Sequence, residues 1–134
     1  MAGSGVLACR DEGTTDDAVY RAHDLAAVDV RTGKLKAEKW FPWPLYSGTL
    51  GTAGDIIFTA QADGKIMALD KDTLDELWSF NAGTTIAAPP ITYSINGKQY
   101  VAIVVGGALY RPADFNTQEL TIIQRNAQVI VFAL

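Results

Sequence analysis

Cysteine and histidine are almost absent: Cys9 and His23 are the only ones in 134 residues. A single cysteine excludes an internal disulfide, a cysteine-based zinc site and a C-x-x-C-H haem attachment. A lone histidine has no second imidazole to share a metal and no nucleophile pattern beside it, so His23 reads as a surface or loop residue. Clustered positive charge is missing too. The net charge is −4, and nothing in the chain groups lysines and arginines as phosphate neutralisation requires, so no nucleic-acid partner is expected. Long apolar runs are also lacking. The longest, Tyr100 to Leu109, is about half of a membrane span. The "VLAC" at Val6 to Cys9 has neither the basic segment nor the apolar run that a lipoprotein signal carries in front, so no signal peptide is read.

What remains is a chain well supplied with core. With 49% hydrophobic and 19% charged residues, it has the length and composition of a folded domain rather than a disordered one. Its apolar residues come in short β-rich runs broken by turn signals. "DIIFTAQ" leads into Asp63-Gly64, "KIMALD" alternates out of it, and a polar turn separates that run from "ELWSF". Gly after Asp takes a positive φ at little cost, which makes Asp-Gly a hairpin signal. "SGTLGTA" ahead of these runs supplies a fourth short strand. The pattern then restarts: "PITYSI", the turn Asn96-Gly97, "KQYVAIVV" with an all-apolar end that implies burial on both faces, an irregular stretch, and "VIVFAL".

An Ala-x-Asp stands before a turn in "IMALDKDTLDELWSF", with Trp78 eight residues after Asp70. A weaker copy lies in "LAAVDVRTGKLKAEKW", containing Asp29 and Trp40, at a repeat period of about 40 residues. The Asp carboxylate is expected to accept hydrogen bonds from the backbone of the turn that follows, with Thr73 capping the same turn. Trp78 is expected to be buried against a neighbouring sheet, with Ala68 leaving room for it. The expected architecture is all-β: a partial β-propeller of four-stranded antiparallel blades, about two and a quarter of them in this chain. An irregular segment covers 1–24, a half blade 25–45, a full blade 46–81, and an incomplete blade 86–134 with a loop over 106–128.

These residues resemble the tryptophan-docking motif of quinoprotein dehydrogenases, eight-bladed propellers that carry pyrroloquinoline quinone. "YSGTLGTAGDIIFTAQADGKIMALDKDTLDELWSF", followed by "AAPPITYSINGKQYVAIVVGG" and the closing "VIVFAL", is similar to the C-terminal blades of the alcohol and methanol dehydrogenase branch. The resemblance implies cofactor contacts at Tyr46, Ser47 and Gly48, where the family often has Trp-Gly-Gly. It implies a substrate-cavity wall at Leu109 and Tyr110, and blade docking through Asp29, Trp40, Ala68, Asp70, Thr73 and Trp78. It also implies a small alcohol as substrate, a periplasmic location, and partner blades supplied by another chain or by self-association. The catalytic Asp and the ligands for calcium or a lanthanide lie in blades outside this chain, so the chain alone is expected to be inactive. The sequence departs from the family at Leu74, where Gly is usual, and at Trp40, which falls three residues late. An EF-hand reading of the acidic run fails, because its sixth and twelfth positions hold Asp75 and Asn81. The alternatives are a non-catalytic propeller-repeat binding or scaffold module, and an inactive truncated fragment.

Overall fold

The computed structural model describes residues 7–8, 23–106 and 127–134. Among the described residues, ten antiparallel strands form three sheets. The first sheet orders β1 (Leu7–Ala8), β2 (His23–Val28) and β3 (Leu35–Phe41). The second orders β4 (Thr49–Gly51), β5 (Ile56–Ala60), β6 (Lys65–Asp70) and β7 (Glu76–Asn81). In the third, β9 (Lys98–Val105) lies between β8 (Ile91–Ile95) and β10 (Gln128–Ala133). The all-β, blade-like architecture expected from the repeats is therefore present. One difference lies in the N-terminal stretch read as irregular: Leu7 and Ala8 pair with Ala27 and Ala26, and β2 begins at His23.

The hairpins follow from turn chemistry. Asn96 and Gly97, with φ of 52° and 77°, form a two-residue turn between Ile95 and Lys98. Both central residues have positive φ, the twist that matches two antiparallel strands. Gly64, at φ 99°, serves the β5–β6 hairpin, where Asp63 Oδ1 accepts the Lys65 N–H at 3.1 Å.

The middle sheet is covered on both faces. Side chains alternate along a strand, so β5 sends Ile57 one way and Phe58 the other. Ile57, Met67, Leu69 and the turn residue Leu74 pack with Leu25, Ala27, Phe41 and Leu45 of the first sheet and its following loop. On the opposite face Phe58 and Ala68 meet Val101, while Ala60 and Ile66 meet Ile103 and Val105. This is why β5 and β6 are apolar at nearly every position. β9 differs from expectation. Val101, Ile103 and Val105 point at the middle sheet, but Val104 is exposed. Its outer face continues through Ile91, Tyr93, Ile95, Val129 and Val131, all exposed, so of the outward residues of β9's apolar run the small Ala102 is buried and Val104 is not.

Trp78 also departs from expectation. It is directed at the third sheet, with its ring edge-on to Phe132 at 5.0 Å and near-parallel to Phe80 at 6.3 Å, yet 40% of it stays exposed. The cause is its place on β7, the outermost strand of its sheet. Beside it lies a cavity of about 510 Å³ lined by Phe58, Ala68, Leu77, Val131 and Phe132 among others. Trp78→Ala is therefore expected to cost about 2 kcal/mol, less than the ~3–5 kcal/mol of a fully enclosed aromatic. Urea unfolding measures this, and an unchanged midpoint would remove Trp78 from the seam between the sheets.

Candidate functional site

Two of the sequence-marked turns are built alike. Asp29 Oδ1 accepts the N–H groups of Arg31 at 2.8 Å and Thr32 at 3.2 Å. Asp70 Oδ1 accepts those of Asp72 at 2.8 Å and Thr73 at 2.9 Å. Each Asp carbonyl also accepts the N–H four residues on, from Gly33 or Leu74. Thr73 adds its hydroxyl, which lies 2.8 Å from Asp75 Oδ2 and 3.3 Å from Asp70 Oδ1. Lys36 pairs with Asp72, and Lys39 Nζ donates to the Leu74 carbonyl at 2.9 Å, so β3 latches the turn of the next sheet.

Backbone hydrogen bonds hold both Asp29 and Asp70 below the ordinary aspartate value of 3.8. A depressed folded-state value means that the stability these carboxylates supply is present above that ordinary value and is lost as pH falls through the lower folded one. Denaturant midpoints are therefore expected to drop on acidification below about pH 4, where aspartates titrate. Asp29→Asn and Asp70→Asn should flatten that part of the profile. A profile unchanged by both substitutions would show that the turns owe nothing to charge.

The repeat is less regular in its aromatic than in its turn. Ala68 is paired with Trp78, and the equivalent Ala27 is paired with Ala37. Ala37 thus occupies the position that Trp78 fills. Trp40 sits three positions further on, opposite Asp24, and an odd offset puts it on the other face of the strand. Trp40 is half exposed and does not join the cluster between the first two sheets, so it does not dock the second sheet as Trp78 does the third.

The Tyr46–Gly48 turn lies just ahead of β4. Tyr46 is 49% exposed, while Ser47 is fully buried. Ser47 Oγ lies 2.8 Å from both the N–H and the carbonyl of Ala60. Gly48 has φ 69°, and a Cβ there would meet nothing within 4 Å. The turn therefore presents a half-exposed aromatic residue two positions before a glycine with open space at its Cβ position, which leaves room for a planar ring. It offers no buried charge. Among the described residues no group of three or more His, Cys, Asp or Glu side chains is placed to hold a metal. Leu109 and Tyr110 lie outside the described residues.

Sequence reasoning missed two features of this region. Thr59, fully buried on β5, donates its hydroxyl to the Gly48 carbonyl at 2.8 Å. Gln61, also buried, turns its amide nitrogen to Met67 Sδ at 3.5 Å, and its Oε1 accepts no hydrogen bond among the described residues. The polar residues inside "FTAQ" were the available signal, since a buried strand rarely carries polar side chains without partners.

Among proteins of known function, the chain is 44% identical over 82 residues to the quinoprotein alcohol dehydrogenase PedE of Pseudomonas putida, a match covering 61% of this chain and 13% of that protein. It is 40% identical over 85 residues to methanol dehydrogenase [cytochrome c] subunit 1 of Paracoccus denitrificans, covering 63% of this chain and 14% of that one. Among solved structures, the quinohemoprotein alcohol dehydrogenase of Comamonas testosteroni superposes with a TM-score of 0.59 at 35% identity, over 64% of this chain and 13% of the other. A europium-containing methanol dehydrogenase gives 0.58 at 34% identity, over 63% and 15%. The chain thus spans roughly one eighth of the length of such relatives. Residues 22–101 match the family model described as the glucose/ethanol/alcohol dehydrogenase β-propeller domain that bears the name PQQ, so the turns, sheets and seams described above are those of a member of the PQQ dehydrogenase propeller family.

Proposed function

We propose that this chain supplies adjacent blades of a pyrroloquinoline-quinone-dependent alcohol dehydrogenase, divided at 25–45, 46–81 and 86–134, and that the Tyr46–Gly48 turn forms part of its cofactor wall. The observation that carries the proposal is that the family match spans the turn and that Tyr46 is held exposed on an otherwise buried base. The quinone, when bound, supplies a two-electron acceptor for a primary alcohol. The residues of this chain bind and shield. Tyr46 packs on the planar ring and excludes water from its edge, and Gly48 leaves space for close approach. Leu109 and Tyr110 belong to the same proposal as part of the alcohol-side wall.

Calcium or a lanthanide would be held by residues outside this chain, together with the general base. The remaining blades lie outside this sequence, in an assembly placed in the periplasm. Among the described residues no helix is long and apolar enough to cross a membrane. The exposed outer face of the third sheet supports a further blade stacked upon it.

Two measurements test the proposal. The purified chain is mixed with pyrroloquinoline quinone and calcium or a lanthanide, and dye reduction is followed with short-chain alcohols. No turnover is expected, because hydride or equivalent transfer needs a placed base, and a base alone contributes roughly 10²–10⁴-fold. Turnover by the chain alone overturns the view that it is part of the enzyme rather than the whole. Quinone affinity is then compared for the wild-type chain and Tyr46→Ala, with weaker binding expected in the variant. Unchanged affinity removes Tyr46 from the cofactor wall.

A further inference from the structure

Two buried hydroxyls fasten the Tyr46–Gly48 turn to β5. Ser47 Oγ accepts the Ala60 N–H at 2.8 Å and donates to the Ala60 carbonyl at 2.8 Å, linking points 13 residues apart. Thr59 Oγ1 donates to the Gly48 carbonyl at 2.8 Å. Ser47 and Thr59 are both fully buried; deleting the Ser47 hydroxyl strands the buried N–H and carbonyl of Ala60, and deleting that of Thr59 unties the Gly48 carbonyl from β5. Gly48 bridges the two fastenings in a left-handed conformation that glycine adopts cheaply. The turn therefore has a rigid base, while Tyr46, one residue ahead of it, keeps half its surface exposed. An aromatic ring outside the core is ordinarily free to reorient. This one leaves the backbone from a point pinned on the neighbouring strand.

We propose that Ser47 and Thr59 are positioning residues, a hydroxyl clamp that sets the direction of the Tyr46 ring so that it is ready to cover a planar quinone or aromatic ring. The ligand class rests on the cofactor reading given above; the clamp itself does not. Ser47 is 1% exposed, and its Oγ is engaged at the Ala60 N–H and carbonyl and lies 3.1 Å from the Gly48 carbonyl, so it acts from beneath the turn. In this proposal its effect on binding passes through Tyr46, in place of the direct cofactor contact that the resemblance implies at Ser47.

The test uses the full chain labelled with 3-fluorotyrosine, with the Tyr46 fluorine signal assigned by its loss in Tyr46→Phe. Wild-type Tyr46 is expected to give one narrow signal away from that of free fluorotyrosine. Ser47→Ala and Thr59→Val should move it toward the free position while the Tyr93 and Tyr100 signals of the third sheet stay in place. Thr59→Ser, which keeps the hydroxyl, should restore it. An unmoved Tyr46 signal in both deletions overturns the clamp, as does a Thr59→Ser signal shifted as far as that of Thr59→Val.

Titration with pyrroloquinoline quinone then separates positioning from plain stability. Ser47→Ala should weaken binding roughly fivefold, the order of one lost hydrogen bond, and should have no further effect in a Tyr46→Ala background. Equal losses in both backgrounds overturn action through Tyr46. If the fluorine signals respond as expected but Tyr46→Ala leaves quinone affinity unchanged, the clamp stands and the ligand class is overturned.

Discussion

Gly64→Ala is expected to destabilise the chain by about 3–4 kcal/mol, combining a left-handed backbone penalty of about 1–2 kcal/mol with an overpacking cost of about 1–3 kcal/mol. Gly64 has φ 99°, and a Cβ there would fall inside contact distance of the Thr84 carbonyl, a backbone atom with no flexible end to move aside. The position is doubly tied, since the Gly64 carbonyl accepts the Ala82 N–H at 2.9 Å and its own N–H reaches the Gln61 carbonyl at 3.1 Å. Shifting it would drag both the β5–β6 hairpin and the link leading to the third sheet. Gly97→Ala is the control. It shares the positive φ but has open space around it, so only the backbone penalty, about 1 kcal/mol, should appear. Urea midpoints for the two variants measure the difference. Equal losses would mean that the approach to Thr84 relaxes without cost.

Leu74→Gly should be the second most damaging change, although a Gly is what the family pattern places there. Leu74 has φ 59°, a conformation that costs a non-glycine residue about 1 kcal/mol and that Gly33 adopts freely in the upstream repeat. On backbone grounds alone the substitution would stabilise. The side chain decides otherwise. Leu74 is 1% exposed and packs with Leu25, Phe41, Met67 and Leu69 between the first two sheets. Emptying such a site costs about 2–5 kcal/mol, so a net loss of about 2–3 kcal/mol is expected. A raised midpoint would mean that the strain outweighs the burial. The upstream turn has no such side chain, so Gly33→Leu would add the strain with no cavity to fill.

Strands and turns were legible because their signals are local. "KIMALD" and "KQYVAIVV" coincide with β6 and β9, and Asn-Gly and Asp-Gly mark their hairpins, since backbone twist and glycine geometry are settled within a few residues. The Asp-anchored turns were legible for the same reason. What escaped depended on distant partners. Trp40 looked like a late Trp78, but register, not proximity in sequence, fixes the face, and an offset of three residues inverts it. Leu74 read as a lapse from Gly because its value lies in residues of another sheet. At the candidate site, the exposed aromatic of Tyr46 could be read from the chain through its family resemblance. The clamp beneath it could not, because Ser47 finds its partner 13 residues away.

The middle sheet has a consequence for how disturbance spreads. Apolar clusters join the first sheet to the second and the second to the third, and among the described residues none joins the first to the third. Such a stack behaves as a line of nearest neighbours, in which each member's persistence depends on its own hairpins and on the seams it shares. The outer sheets share one seam each and the middle sheet shares two. Opening an outer sheet exposes one seam and leaves the other pair standing, whereas opening the middle sheet releases all three at once. Amide exchange should therefore be slowest in β5 and β6 and report global unfolding there, while β8 and β10 exchange through smaller, local openings. The chain's cooperativity is thus set by one interior hairpin pair, and a lesion there is felt by residues that it never touches.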